Sequence, residues 1–506
     1  MVKYKSARQL SFSDFRTPFE QGLDGNNRWI RLANQIPWDD LARIYVNSLR
    51  TDFGRPSVDA RVVIGAMIIK HKKCLSDDET IEEIQENPYL QFFLGFTEFS
   101  HQRVFDPSLF VALRKRMGAE VFEQMNQAFL ATIETSQQRK VQKSKPNRKA
   151  NCSDSQENIS ESCQSSTDKA SDKKAANHGT LIVDASVAPQ DIKYPTDLDL
   201  LNACRENTEQ IIDELYVVER GKRKPRTYRK IARNDYLATA RKKKKSKKIL
   251  RQSIRKQLNY VKRNIKIIHR LLDSTTQWSS FRSMRNFWII QEIYRQQQEM
   301  YDNRSHKISD RIVSLSQPHV RPIVRGKAGK DVEFGAKLSV SLVNGFAHLD
   351  RISWDAYNES GDLISQVENY RSRYGFYPEV VISDNIYGTR DNRKQLELKG
   401  IRFSGKSLGR PIKLSRQQKQ MLRTEARLRN RIEGKFGEGK RKYDLNLVKA
   451  KTMNTSESWI AAVFFVMNLA HWWRLDFFVF FFRRLLSWIL NYFKELTNPQ
   501  KRLVLN

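Results

Sequence analysis

The sequence predicts a mixed α/β protein, interrupted by a basic helical insertion and preceded by an all-helical segment. Three observations predict it. Two short apolar, β-branched runs, Thr180 to Asp184 and Glu379 to Asp384, each end in an aspartate, as buried strands do at a sheet edge. Residues 332–356 alternate about Asn344 and Gly345, a dipeptide suited to a tight hairpin turn. Arg220 to Arg270 holds 22 Lys/Arg and one acid, Asp235, with apolar residues recurring at three- to four-residue steps.

The chain has 506 residues, enough for two or three domains with full cores. Lys+Arg number 90 against 56 Asp+Glu, a net charge of +34. Self-repulsion of that size disfavours the compact state unless a polyanion offsets it, so nucleic acid or a membrane surface is the expected partner. A ribosome-type scaffold is the blander reading. Cys74, Cys152, Cys163 and Cys204 show no CxxC spacing, which suggests a reducing compartment and no zinc site. Met1 to Leu10 lacks the apolar core of a signal peptide, so a cytosolic protein is expected.

Taken in order, residues 1–135 read as helical. Asp39 and Asp40 favour the start of a helix from Trp38 to Leu49. Ser57 is the expected N-cap of an apolar helix from Val58 to Lys73. Ser76 to Glu79 has the capping-box pattern for a second helix, which Pro88 ends. Asp106 to Ser108 opens a helix through Met117. Two short helices and a tight turn allow a helix-turn-helix, although the acidic first turn of the second argues against phosphate contact there. Residues 136–179 are polar, lack aromatics and read as a linker.

A helix is expected from Asp197 to Glu219, within an insertion spanning 197–317. The basic stretch follows, net +21 of the total +34, with Tyr228, Tyr236 and Tyr260 interleaved. Phosphate-backbone binding is the functional reading, centred on Lys242, Lys243, Lys244 and Lys245; for that run alone a merely solvated segment is the alternative. Beyond the hairpin, Ser360 to Arg373 reads as helix, Glu379 to Asp384 as strand, Arg390 to Leu398 as helix and Ile401 to Ser404 as strand. A long helix carrying Glu433 then follows Pro411. Trp459 to Phe493 is apolar, but charges interrupt it before the roughly 20 residues a span needs. It reads as helices packed on the core, with an apolar face for a partner or a membrane interface as alternatives.

Asp184, Asp384 and Glu433 are the candidate catalytic and metal-binding residues. On a helix, Arg429, Glu433 and Lys440 share one stripe, so two cations flank the carboxylate. The bland reading is a solvated Arg–Glu pair. Three converging carboxylates repel one another, and burial raises their pKa values; bound Mg²⁺ relieves this and is a natural guest of hard oxygen ligands. No P-loop, HExxH or GxSxG competes.

Four blocks carry a resemblance. They are Leu181 to Leu201 around Asp184; Gln317 to Lys327 with Glu333 to Lys337; Val380 to Asp384; and Arg429-x3-Glu433-x6-Lys440. Together they resemble the bacterial insertion-sequence transposases of the DDE class, in the IS-four/IS-five-like superfamily with a ribonuclease-H-like catalytic core. Two positions depart from the pattern. Ala426 stands where a Tyr is frequent, and Asn385, Ile386, Tyr387 follow Asp384 where many relatives have Lys-Gly-Tyr.

The resemblance implies cleavage at the ends of a mobile element and joining of the freed 3′-hydroxyls to target DNA. It implies two Mg²⁺ ions, with Mn²⁺ able to substitute, held by Asp184, Asp384 and Glu433. Arg429, Lys440, Arg321, Arg325 and Lys327 become expected DNA contacts beside the lysine run. The partners expected are double-stranded terminal inverted repeats and target DNA, bound by a homodimer on paired ends, without a membrane span, in the cytoplasm at the nucleoid. The expected division is a DNA-end-binding domain at 1–135, the linker at 136–179, a core of 180–196 with 318–456, the insertion at 197–317, and C-terminal apolar helices at 457–506. A stand-alone metal-dependent nuclease and an inactive transposase-derived DNA-binding protein are the alternatives.

Overall fold

The computed structural model describes residues 22–49, 57–143, 176–216, 224–274, 278, 280–327, 330–405, 408–409 and 415–496. Most of the predicted linker, with Cys152 and Cys163, lies outside them. The described residues form fifteen α-helices and one six-stranded mixed sheet.

The chain opens with α1 (Arg28–Gln35), α2 (Trp38–Asn47), α3 (Ala60–Lys73), α4 (Asp77–Glu86), α5 (Pro88–Phe93), α6 (Leu109–Arg116) and α7 (Ala119–Lys143). The N-cap of α3 is Asp59, not Ser57: its carboxylate accepts from Arg61 N at 2.8 Å. The Ser76 capping box forms as expected, with both reciprocal hydrogen bonds. Pro88 starts α5 instead of only ending α4, because Asn87 caps the new helix and proline needs no N–H at the first position. The acid in the first turn of α4 is structural. Asp77 accepts from Arg114 at 2.9 and 2.7 Å and from Lys70 at 2.8 Å. Helix α7 runs to Lys143, beyond the start expected for the linker.

Strand β1 (Thr180–Pro189) is followed by α8 (Asp197–Leu215), α9 (Arg229–Ala240), α10 (Lys247–Ser274) and α11 (Phe281–Asp302). These four helices have apolar clusters of their own, one around Cys204, Val261 and Ile290, another around Ile212, Ile268 and Phe287. The ends of this insertion are clasped, since Gln190 Nε2 donates to Gln317 Oε1 at 3.2 Å and to Ser456 Oγ at 2.6 Å.

The rest of the sheet is β2 (Arg321–Lys327), β3 (Lys330–Val343), β4 (Phe346–Ser353), β5 (Val380–Ile382) and β6 (Arg402–Ser404). The order is β2-β3-β1-β5-β6, and β4 also pairs with β3. β1 is antiparallel to β3 and parallel to β5, and β5 is parallel to β6. The hairpin forms at the expected turn: Asn344 and Gly345 take φ of 52° and 88°, as its left-handed geometry requires.

Sequence reading missed β2, whose Pro322 suits only an edge position. It also ended β1 too early. Asp184 is mid-strand, opposite Val340, and pairing with β3 continues to Pro189 opposite Gly335. Glycine is required there, because a Cβ would lie 2.0 Å from the Ala188 carbonyl oxygen.

Helix α12 (Leu363–Tyr374), preceded by a 3-10 turn at Glu359–Asp362, and α13 (Arg390–Leu398) cover one sheet face through Val367 and Leu396, joined by Tyr387 of the 3-10 turn Asn385–Tyr387. On the other, α14 (Arg416–Lys442) and α15 (Met453–Leu496) join a large buried cluster that extends into the N-terminal helices. The predicted C-terminal helices are thus one helix. Phe465 of α15 meets Phe122 and Phe129 of α7, and buried Asn468 bonds both Asn126 and the Ala347 backbone. Most side chains beyond Leu475 lie outside those described, and with them the apolar face considered above. Among the described residues no helix is long and apolar enough to cross a membrane.

Candidate active site

Three elements distant in sequence meet at one cavity of about 680 Å³. β1 contributes Asp184. β5 ends at Ile382, and Asp384 caps the short turn after it, its Oδ1 accepting from Asn385 N at 2.7 Å. Helix α14 begins at a Ser415/Gln418 capping box and seats buried Ile432 and Phe436 on the core. That seating turns Arg429, Glu433, Gly437 and Lys440 toward the cavity, the stripe expected from helical periodicity.

The charges are arranged unevenly. Arg429 bridges two carboxylates, with Nη1 3.1 Å from Asp384 and Nη2 3.4 Å from Glu433. Among the described residues Asp184 has no such partner; its Oδ1 accepts from the Ala185 amide at 2.8 Å. Burial pushes the Asp184 carboxyl up to about 6; the charges of Glu359 and Glu433 push the same way, while the Ala185 hydrogen bond and Arg429 act against them.

Glu359 is a fourth carboxylate on the cavity wall and escaped sequence reading. It sits in the polar stretch Asn358 to Asp362, just ahead of and into the expected helix from Ser360, and no local signal points it inward. Lys337 stands 3.5 Å from it, donates to the Tyr357 carbonyl at 2.8 Å and lies over the Tyr357 ring.

The other expected contacts are spread. Lys242, Lys243, Lys244 and Lys245 form the exposed turn between α9 and α10. Arg321 is half-buried; it donates to the Pro318 carbonyl and stands 3.8 Å from Asp355. Arg325 and Lys327 lie in β2, but their side chains are outside those described.

The donor set suits a hard divalent cation in kind: four carboxylates face one cavity, and one of them, Asp184, is held high by burial and neighbouring negative charge. In the structure Arg429 balances two of the four, Asp384 and Glu433. Among the described residues no three acidic, histidine or cysteine side chains stand close enough to hold a metal ion.

Residues 381–470 match a family model described as "Transposase DDE domain", a stretch that includes Asp384, Arg429, Glu433 and Lys440. Residues 17–116 match one described as a transposase domain, over the N-terminal helices. The chain is also similar to "Uncharacterized protein ORF8 in nfe locus" of Rhizobium meliloti, at 35% identity over 114 residues. That alignment covers 22% of this chain and 55% of the relative, so the chain spans about half the length of the curated protein it matches. No solved structure matches.

Proposed function

We propose that this chain, which belongs to the insertion-sequence DDE transposases, cleaves the ends of an insertion element and joins the freed 3′-hydroxyls to target DNA. One observation carries the reading: Asp184, Asp384 and Glu433, from three distant segments, line one cavity together with Arg429 and Lys440. The mixed sheet interrupted by a helical insertion supports a ribonuclease-H-like core made of 180–196 and 318–456. The basic insertion and the N-terminal helices are the expected duplex contacts, the former with the phosphate backbone and the latter with the inverted repeats. A homodimer on paired ends, working at the nucleoid, completes the proposal.

Asp184, Asp384 and Glu433 are the residues that would hold two Mg²⁺ ions, or Mn²⁺ in their place, once drawn closer together than they stand here. Such ions supply activation of the attacking oxygen and stabilisation of the leaving one. The chain's own part is positional. Arg429 and Lys440 lie along one face of α14 and hold phosphate oxygens by charge-assisted hydrogen bonds. Val324 and Phe436 on the cavity wall shape where the strand lies.

The test is an assay with labelled element ends and Mg²⁺ or Mn²⁺, followed for strand-transfer products. Joined products support the proposal. Cleavage without joining leaves a nuclease, and binding without cleavage leaves an inactive DNA-binding relative.

A further inference from the structure

Helix α11 presents an unusual face. Phe281 is 76% exposed and Trp288 65%. Seven residues apart, they lie on one side of the helix about 10 Å apart along its axis. Arg285 stands between them and Arg282 beside them, both exposed. Neither arginine makes an ion pair among the described residues. The C-terminal half of the same face is the opposite case, because Arg295 is neutralised by Glu292 at 2.7 Å and Glu299 at 3.0 Å. The first half of the helix thus pairs open aromatic rings with unbalanced guanidinium groups, while the second half is self-satisfied.

The packed face does not need these side chains. Helix α11 is held by Phe287, Ile290 and Ile293, all buried in the insertion's own clusters. Arg285 acts electrostatically on His319, just before β2: burial, then Arg321 and Arg285, push the imidazole down to about 4. A few residues along that strand, Ile323 and Val324 line the cavity.

We propose that Phe281, Arg282, Arg285 and Trp288 form a binding face for unpaired nucleic acid, with the rings stacking on bases and the guanidinium groups meeting phosphates. Its chemistry is that of single-strand readers, in which aromatic platforms are set in a cationic surface. A duplex offers α11 phosphates but no free base faces, so the two aromatics discriminate between the forms. The assignment of the bound strand to one leading from the cavity rests on the DNA-processing reading above; the binding itself does not.

The experiment uses the full-length protein without added metal. Fluorescence anisotropy is read with a labelled 20-mer single strand and with its duplex, for wild type, Trp288→Ala, Trp288→Phe, Phe281→Ala and the pair Arg282→Gln with Arg285→Gln. Loss of one stacked ring should weaken single-strand binding by between about five- and about a hundredfold. Trp288→Phe should keep most of the affinity, and duplex binding should change by less than about twofold in the aromatic variants. Equal losses on both forms, or unchanged single-strand affinity, overturn the proposal. A lower oligomeric mass for Trp288→Ala with single-strand binding intact also overturns it, in favour of a protein interface. Because no metal is present, a negative strand-transfer assay leaves this test standing.

Discussion

The buried charge cluster at the start of α4 gives the sharpest test of how the N-terminal helices work. Asp77 is the counter-ion of two buried cations. The Lys70 and Arg114 side chains are 2% and 7% exposed, and the Asp77 side chain is 24% exposed. Asp77→Asn keeps the shape but leaves both cations uncompensated. Breaking a buried pair in this way costs about 3–5 kcal/mol. The assay is urea unfolding followed by tryptophan fluorescence, because Trp459 packs against His71 and lies beneath Lys70 and Arg114.

The pH dependence follows from Asp77. Burial would raise its carboxyl, but hydrogen bonds and charge from Arg114 and Lys70 outweigh that and hold its pKa below the usual range. A lowered folded pKa means that the contribution is present above the unfolded carboxylate pKa. It is lost as pH falls through the lowered folded value, so wild type and variant should converge in acid. If Asp77→Asn is as stable as wild type at pH 7 and instead binds DNA more tightly, the first turn of α4 faces DNA and the structural reading is wrong.

Other predictions follow from the cavity and the insertion. Asp184→Asn, Asp384→Asn and Glu433→Gln should each abolish cleavage and joining while duplex affinity stays near wild type; retained strand transfer in any one removes that residue from the site. Arg429→Ala should lower turnover by the worth of a charge-assisted contact, about 1.5–3 kcal/mol. It should change folding stability by less than about 1 kcal/mol, because both partner carboxylates are more than half exposed. A large stability loss with normal turnover would make the bridge structural. Replacing Lys242, Lys243, Lys244 and Lys245 with Gln should flatten the slope of log affinity against log salt by up to about four phosphates at about 0.9 each. An unchanged slope would mean a run that is only solvated.

What the sequence made legible was local. The Ser76 capping box, the Asn344–Gly345 turn and the stripe of α14 each depend on residues within about three helical turns of one another, and the chain carries those signals openly. What it hid was tertiary. β1 runs past Asp184 because β3 lies alongside it, and that approach depends on Gly335, about 150 residues away. β2 is a strand because an edge accepts Pro322. Glu359 reaches the cavity through the fold of β4 and the turn after it, with nothing in its neighbours to announce it. The bridge from Arg429 to Asp384 joins segments that only the sheet brings together.

The clasp between Gln190 and Gln317 has a consequence for assembly. Thr180 pairs with Val380 across 200 positions, and ordering so long a loop is costly in chain entropy. Once Gln190 meets Gln317, the 127 positions between them are already closed off. The loop left to order shrinks to about 73 residues, and the logarithmic rule puts the saving at about 0.9 kcal/mol. The loop that remains after the clasp, about 73 residues, is the same however many residues lie inside it. Helices there can lengthen, shorten or change their charge without altering the work of bringing Asp184 to Asp384. The insertion proposed to meet nucleic acid is therefore free to vary, while the carboxylates stay where they are.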